Sequence, residues 1–504
     1  MIAITGSDSV SYSLTSNTAM GTEIEAENDG RYALKVDADQ DDKATELKVC
    51  SFARPHMRSF HFAWWSFFIA FFIWFAIAPL LPLIKEDLGL SSQDIWTTNI
   101  CAVAFDICMR FVFGAVCDKY GARVPMGVVL MAASIPTALI GLVNSLTGLI
   151  CIRLFIGLAG STFVMCQCWT TRMFTKEIVG IANGLVGGWG NVGGGATQLV
   201  MGTLLLPLFK TIWGGDSTMA WRTVTIVPAV VAFCTGLIVI KFSDDCPKGM
   251  YKDLKKSGEM PEVSAAASFR GGAVDINTWI LFLHYACCFG VELTVNNAAV
   301  SYFVTRFELT IETASAIASI FGFMNLFARG LGGWSSDKAS GKLGMRGRIM
   351  VQAGLLILEG ACIFIFAEMT NLAASIVMLT VFSIFVQGAE GSTYGIVPYV
   401  NRIAPGAVAG IVGAGGPTGA VCFGLVFRSL PEDPNKAFRI MAGIVLASGV
   451  MCLFLNIKGH RGLLFGKDTE DVNDKLQIPV QEVEDVEEVQ NVTANAEKGA
   501  EEGV

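Results

Sequence analysis

Two arginines occupy equivalent positions in a repeated motif. The motif reads RFVFGAVCDK from Arg110 and RGLGGWSSDK from Arg329, and both copies have the spacing Arg-x3-Gly-x3-Asp-Lys. Each arginine lies in an apolar segment, about 12 Å along a helix from the aspartate. A charge at bilayer depth costs at least about 2.5–3.5 kcal/mol, so such residues usually serve a function or pair with one another. The repeat therefore predicts a transporter that binds an anion between two guanidinium groups.

The chemistry of the guanidinium group narrows the class of anion. It is planar, permanently charged and presents several donors in a fork, which suits a small planar oxyanion. A bulkier organic phosphate would need more buried cations, and Arg153 and Lys241 lie near span ends, where we interpret them as interfacial anchors. The alternative for the central arginines is pairing with acids. Asp106 lies one helical turn from Arg110, whereas Arg329 has no acid within one turn.

A charged loop follows each arginine. In the first copy it is GAVCDKYGAR, and the second copy, around Asp337, is looser. We expect Asp118 and Asp337 to pair with basic residues and to cap a neighbouring helix end. An ordinary charged loop is the alternative, but two copies at the same place in each half disfavour it. The loop residues that we single out are Gly114, Asp118, Lys119, Gly121, Arg123 and Asp337.

Composition places the chain in a membrane. Of its 504 residues, 53% are hydrophobic and 16% are charged, against roughly 25% charged in soluble proteins. The 14 cysteines lie mostly in apolar runs without zinc spacing, so we expect no metal and no cofactor. No nucleophile–base set or phosphate loop is present, which argues against an enzyme. We expect no cleaved signal peptide.

The apolar runs predict an all-α membrane protein with about twelve transmembrane helices in two pseudo-symmetric six-helix bundles. We expect a disordered cytosolic tail (1–54), a first bundle (55–242), a cytosolic linker (243–275), a second bundle (276–457) and an acidic cytosolic tail (458–504). Basic residues are concentrated in the loops on the side of the N-terminus, which predicts that both termini are cytosolic.

Spans five and eleven each carry a dense glycine face. The two sequences are GLVGGWGNVGGGATQ (184–198) and GAVAGIVGAGGPTGA (406–420). Close helix packing explains part of this pattern. We also expect these helices to slide and to let backbone approach a small ligand. Asn191 offers an amide to a ligand oxygen. The glycines that we single out are Gly190, Gly193, Gly194, Gly413, Gly415 and Gly416.

Four acids lie inside the predicted spans: Asp106, Glu292, Glu359 and Glu390. Each is a candidate to carry protons, and structural pairing is equally open for each. Glu292 and Glu390 are the leading candidates because small residues surround them near mid-span.

The six-plus-six layout and the GAVCDKYGAR loop resemble the major facilitator superfamily. GGWGNVGGG and GIVGAGGPTG resemble the two nitrate signatures of its nitrate/nitrite porter family. FGVELTVNN (289–297) and DDCPKG (244–249) resemble its eukaryotic high-affinity nitrate transporters, and the resemblance covers about residues 55–460. It implies that Arg110 and Arg329 hold nitrate, with Asn191 as a polar neighbour. It also implies flanking rings at Phe163, Tyr285 and Phe289, although GSTFVMCQ around Phe163 departs from bacterial members and core packing is the alternative there.

The resemblance implies import of nitrate, and of nitrite, with protons across the plasma membrane. Some bacterial members instead exchange nitrate for nitrite. The partners would be nitrate, nitrite, protons and lipid, with no nucleic acid; an accessory membrane subunit stays open. Two other functions also stay open: a carrier of another small anion on the same fold, and a nitrate sensor that does not transport.

Overall fold

The computed structural model describes residues 31–175, 177–257, 265–401 and 405–468. This part contains twelve helical segments long and apolar enough to cross a bilayer, which confirms the predicted fold class. The helices of spans 1 to 12 are His56–Phe75 with Leu81–Asp87, Ser92–Tyr120, Arg123–Leu139, Leu146–Ile156 with Thr162–Met173, Val179–Thr197 with Leu206–Ile212, Ser217–Val224 with Ile226–Phe242, Ile276–Phe307, Ile311–Phe323 with Ala328–Leu343, Met345–Glu368, Leu372–Ile396, Pro405–Ser429 and Pro434–Met451.

The two halves pack in the same way. Span 1 lies on span 5 and span 3 on span 6, just as span 7 lies on span 11 and span 9 on span 12. Between the halves, span 2 packs against span 11 and span 5 against span 8. We call the face where spans 1 and 7 begin the terminal face, because the described residues that precede span 1 and follow span 12 lie there, and the other the opposite face. Equivalent helices of the two halves therefore bring Arg110 and Arg329 towards the same interface.

Local breaks in two spans lie beside these arginines. Span 4 changes to a 3₁₀ helix over Gly157–Ser161, and span 8 does so over Met324–Leu326. A 3₁₀ turn changes the backbone hydrogen bonding and can leave carbonyl groups free for other donors. The break in span 4 presents the Gly160 carbonyl to the interface, and the break in span 8 ends just before Arg329.

Four of the six singled-out glycines pack within their own half. A Cβ atom on Gly190 or Gly193 would meet the Phe67 ring or the Phe68 carbonyl of span 1. Likewise, one on Gly415 or Gly416 would meet Phe282 or Phe289 of span 7. These glycines let spans 5 and 11 lie against their own bundles, and the sliding of these helices stays a prediction.

Further glycines, together with two of the singled-out set, form close contacts between the halves. Gly195 of span 5 meets Gly322 of span 8, and Gly114 of span 2 faces the Gly406 carbonyl of span 11. Of the predicted set, Gly194 faces Asn296 of the other half, while Gly413 lies between its own half's Tyr394 and the other half's Arg110 and Phe163. These glycine contacts lie at the interface between the two halves.

Residues 31–54 are structured, so the prediction of a disordered tail through residue 54 is wrong for this stretch. Strand β1 (Val36–Asp37) pairs with strand β2 (Lys43–Ala44), and Ala44 bridges to Phe174 at the end of span 4. Leu34 and Ala44 are fully buried there. They are too sparse to stand out in a polar sequence.

Residues 1–30 and 469–504 lie outside the described residues. The linker carries two short helices, Tyr251–Lys256 and Ala265–Val274.

The two charged loops make different ion pairs and hydrogen bonds at the terminal face. Arg123 donates to Asp245 at 3.2 Å and to the Ile240 carbonyl at 2.8 Å. Burial raises the pKa of Asp245, and Arg123 offsets part of that rise. Gly121 has a φ of +80°, which favours glycine. Lys119 is exposed beside the Tyr120 ring, and the side chain of Asp118 lies outside the described part.

In the second loop, Asp337 pairs with Arg348 at 2.6 Å, and its carboxylate lies beside Gly180. Gly180 lies in the first turn of span 5, so a carboxylate of the second half lies at the N-terminal end of a helix of the first half, where a negative charge is favourable. Asp337 thus has a basic partner in Arg348, and its capping of span 5 stays a prediction.

We expect Gly415→Leu to destabilise the protein, because its side chain would collide with the backbone of span 7. Overpacking of this kind costs about 1–3 kcal/mol. The matched control is Gly443→Leu in span 12, where a Cβ atom meets nothing within 4 Å. Thermal unfolding of the purified variants in detergent measures the difference. Equal melting temperatures for the two variants would contradict the close contact.

Candidate anion-binding site

Arg110 is fully buried and its guanidinium group donates to three oxygens. Nε donates to Asp106 at 2.8 Å, one turn earlier on the same helix. The other two nitrogens donate to the Gly413 carbonyl at 2.7 Å and to the Gly160 carbonyl at 3.1 Å. Gly413 belongs to the other half, so Arg110 joins the two halves near the middle of the protein.

Arg329 has an equivalent environment built from different residues. It pairs with Glu390 of span 10 and donates to the Tyr285 hydroxyl of span 7 at 2.9 Å. A Cβ atom on Gly187 of span 5 would lie 2.9 Å from its Nε, so this glycine makes room for the guanidinium group. The acid that neutralises Arg329 thus comes from another helix, where a search within its own helix could not find it.

Two stacked rings face both arginines. The centroids of Phe163 and Phe289 are 5.8 Å apart, with 23° between the ring planes. The Cζ atom of Arg110 lies 5.1 Å from each centroid, and that of Arg329 lies 5.2 Å from Phe163 and 5.9 Å from Phe289. The two Cζ atoms are therefore no more than about 10 Å apart. Tyr285 stacks on the same pair of rings. The structure brings together the arginines and rings that the sequence singled out.

Tyr394 belongs to this cluster and was missed by the sequence analysis. Its ring meets Phe163 edge-on at 5.1 Å and Tyr285 at 5.2 Å, and its hydroxyl donates to the Ala409 carbonyl at 3.1 Å. It lies one helical turn after Glu390, and this i, i+4 spacing is the signal that could have found it.

A cavity of about 80 Å³ lies next to Tyr394. It is lined by Gln167, Cys168, Thr171, Arg172, Asn183, Tyr394, Val397, Pro398, Gly406 and Ala409. Most of these residues lie in the part of their helix that is nearer to the terminal face. Tyr394 therefore separates the arginines from that face.

Two carboxyl groups lie side by side next to Arg329. Glu292 of span 7 and Glu390 of span 10 are close enough to interact electrostatically, and both interact with Arg329. The Asn325 amide donates to Glu292 at 3.0 Å, and the Asn191 amide donates to Glu390 at 3.3 Å. One buried oxygen of each carboxyl group, Glu292 Oε2 and Glu390 Oε1, has no hydrogen-bond partner. Asn191 thus contacts the acid pair, and its own buried carbonyl oxygen has no partner.

Two further buried charged groups lie away from this cluster. Glu359 of span 9 is fully buried, and neither carboxyl oxygen has a partner. Arg153, which we expected to be an interfacial anchor, is instead 1% exposed and directed into the protein. That expectation was wrong because the direction of a side chain near a span end depends on the neighbouring helices. Among the described residues, no group of histidine, cysteine, aspartate or glutamate side chains could hold a metal ion.

Comparison with known proteins identifies the family. The sequence profile of the Major Facilitator Superfamily matches residues 63–424. The high affinity nitrate transporter 2.5 of Arabidopsis thaliana is 35% identical over 472 residues, which cover 94% of this chain and 93% of the relative. The high-affinity nitrate transporter 2.3 of Oryza sativa subsp. japonica is 38% identical, with 87% and 85% covered. The chain belongs to the nitrate/nitrite porter family.

This porter has the superfamily's fold in three dimensions as well. A bacterial homologue of the human lysosomal transporter Spinster aligns with a TM-score of 0.55 at 16% identity, over 79% of this chain and 95% of that one. This likeness supports the fold alone. The relatives are transporters, so the porter is a multi-pass membrane protein and not an enzyme, as the sequence predicted.

We expect Asp106→Asn to lower the stability of the porter, because Arg110 would lose its counter-charge in a buried site. Removing one partner of a buried ion pair costs about 3–5 kcal/mol. The control is Glu359→Gln, which changes an equally buried carboxyl group that pairs with no cation. Thermal unfolding in detergent compares the two. If Asp106→Asn melts no lower than Glu359→Gln, Asp106 does not neutralise Arg110.

Proposed function

We propose that this chain imports nitrate, with nitrite as a second substrate, across the plasma membrane by proton symport. The observation that carries the proposal is that two guanidinium groups face one pair of stacked rings at the centre of a nitrate/nitrite porter. The names of its relatives, which are nitrate transporters, support the choice of substrate.

Nitrate matches this site in shape and charge. It is a planar monovalent anion with three oxygens, so each arginine fork can bind it edge-on with charge-assisted hydrogen bonds. The stacked Phe163 and Phe289 rings favour a flat ligand over a tetrahedral one. Tyr285, whose hydroxyl contacts Arg329, is close enough to fix the position of that fork.

Proton coupling follows from competition for the arginines. In this structure Glu390 forms an ion pair with Arg329, and Asp106 forms one with Arg110. Nitrate must therefore displace a carboxylate to bind either guanidinium group. Protonation of the carboxylate removes its charge and frees the fork. Glu390 is the better proton carrier, since Glu292 beside it can share the proton. Asp106 is the candidate for a second proton.

The direction of transport follows from the membrane potential. An inside-negative potential opposes nitrate entry by about 2.3 kcal/mol per 100 mV. Two protons per nitrate reverse that effect, since the complex then carries one net positive charge inward.

Transport by alternating access requires a movement that exposes the central site first to one side of the membrane and then to the other. We take the terminal face as cytosolic, on the basis of its basic residues. The cavity behind Tyr394 is then the exit path towards the cytosol. Tyr394 lies against both Phe163 and Tyr285, which belong to different halves, so a rotation of the halves would displace it and open this path.

We expect Arg329→Lys to reduce nitrate affinity strongly, because lysine keeps the charge but loses the fork. Loss of one charge-assisted contact corresponds to about 1.5–3 kcal/mol, or roughly tenfold to over a hundredfold. The control is Arg222→Lys, which changes an arginine that pairs with Asp87 at the opposite face. Labelled nitrate uptake at equal surface expression measures the effect. Normal uptake by Arg329→Lys would overturn the role of the fork.

We also expect nitrate to evoke an inward positive current in oocytes, and the current should grow as the external pH falls. Glu390→Gln should remove this pH dependence, while Glu359→Gln should keep it. A pH-independent exchange of nitrate for nitrite would contradict symport. Failure to transport nitrate at all would favour a sensor or a carrier of another anion.

A further inference from the structure

Arg153 is a buried cation that the proposed transport cycle has not used. Its guanidinium group donates to Thr98 at 2.8 Å, to Asn99 at 2.6 Å and to Asn297 at 3.0 Å. All three acceptors are neutral, and no carboxylate of the described residues neutralises it. A buried charge is normally paired, so an arginine held only by neutral oxygens indicates a site where an anion binds at some stage.

The position of Arg153 places it between the central site and the opposite face. It precedes Phe163 by ten residues on span 4, while Asn297 follows Phe289 by eight on span 7. Asn99 precedes Arg110 by eleven residues on span 2. At 1.5 Å per residue, all three helices put the cluster roughly 12–17 Å from the central arginines.

The cluster also joins the two halves. Thr98, Asn99 and Arg153 belong to the first half, and Asn297 belongs to the second. Next to it, Gln198 of span 5 donates to the Asn296 backbone carbonyl at 2.8 Å, again across the halves. Separation of the halves at the opposite face would break the bond from Arg153 to Asn297 and free one edge of the guanidinium group.

Asn296 adds a second polar group on the same path. Its side-chain nitrogen is buried and has no hydrogen-bond partner. It faces Gly194, three residues from Asn191 in span 5, so it lies between the Arg153 cluster and the acid pair of the central site. An unpaired buried donor costs free energy, and a passing anion would satisfy it.

We propose that Arg153 is an access site where a small oxyanion binds on its way from the opposite face to Arg110 and Arg329. Its bond to Asn297 then closes this side of the protein once the anion has moved on. The inference rests on the proposed function, with nitrate as the anion.

The first test is Arg153→Gln, which keeps polar contacts to Asn99 and Thr98 but removes the charge. The control is Arg222→Gln, which removes a charge from the same face without touching the contact between the halves. We expect Arg153→Gln to raise the half-saturating nitrate concentration for uptake by more than about tenfold. The maximal rate at saturating nitrate should stay within about threefold, and Arg222→Gln should change the half-saturating concentration less than twofold.

A merely structural role would lower the maximal rate and the amount of folded protein, with no selective change in the half-saturating concentration. That result, or a wild-type concentration dependence, would overturn the access site while leaving nitrate uptake in place. Absence of nitrate uptake by the wild type would instead overturn the proposed function.

The second test asks whether the hydrogen bond from Arg153 to Asn297 closes the opposite face, and it uses Cys101 as a reporter of access. Cys101 is half-buried and close enough to Arg153 to interact electrostatically with it. We expect Asn297→Ala to increase the rate at which an anionic methanethiosulfonate reagent, added at the opposite face, modifies Cys101 by at least about fivefold. Mass spectrometry of the Cys101 peptide gives this rate separately from the other 13 cysteines. An unchanged rate would mean that the bond to Asn297 does not close this side.

Discussion

The need to neutralise two buried arginines shapes the whole interface between the halves. Each guanidinium group is removed from water at the centre of the protein, and each is compensated by one carboxylate together with further oxygens. These oxygens come from four helices besides those of the arginines themselves: spans 4 and 11 for Arg110, and spans 7 and 10 for Arg329. The pairs are costly to bury, so they indicate a function rather than stability.

Glycine makes this arrangement sterically possible. Carbonyl groups can reach Arg110 only because spans 4 and 11 approach closely at Gly160 and Gly413, and Arg329 fits only because Gly187 carries no side chain. Glycine contacts such as Gly195 with Gly322 then allow the halves to meet with little interdigitation of side chains. Surfaces of this kind can separate at low cost, which suits a protein that must expose one buried site to two sides.

The features that could be predicted well were those that depend on short sequence motifs or on neighbours within one helix. Arg110 and Arg329 were found because each lies in a motif of fixed spacing, and the Asp106 partner follows from helical geometry. Contacts between distant helices could not be read in this way. The pairing of Glu390 with Arg329, the inward direction of Arg153 and the packing of Gly415 on span 7 all depend on which helices are neighbours. The strands at 36–44 were missed because two short apolar stretches in a polar tail carry little periodicity.

The central claim is that nitrate binds where Glu390 now lies and that Glu390 takes up a proton when it leaves Arg329. The most direct measurement is isothermal titration of nitrate into the purified porter, in buffers that differ in ionisation enthalpy and between about pH 5 and 8. The account predicts that protons are taken up as nitrate binds, that affinity rises as pH falls, and that Glu390→Gln binds nitrate with reduced proton uptake and a weaker pH dependence. Nitrate binding with one affinity across this range and no proton uptake would contradict it.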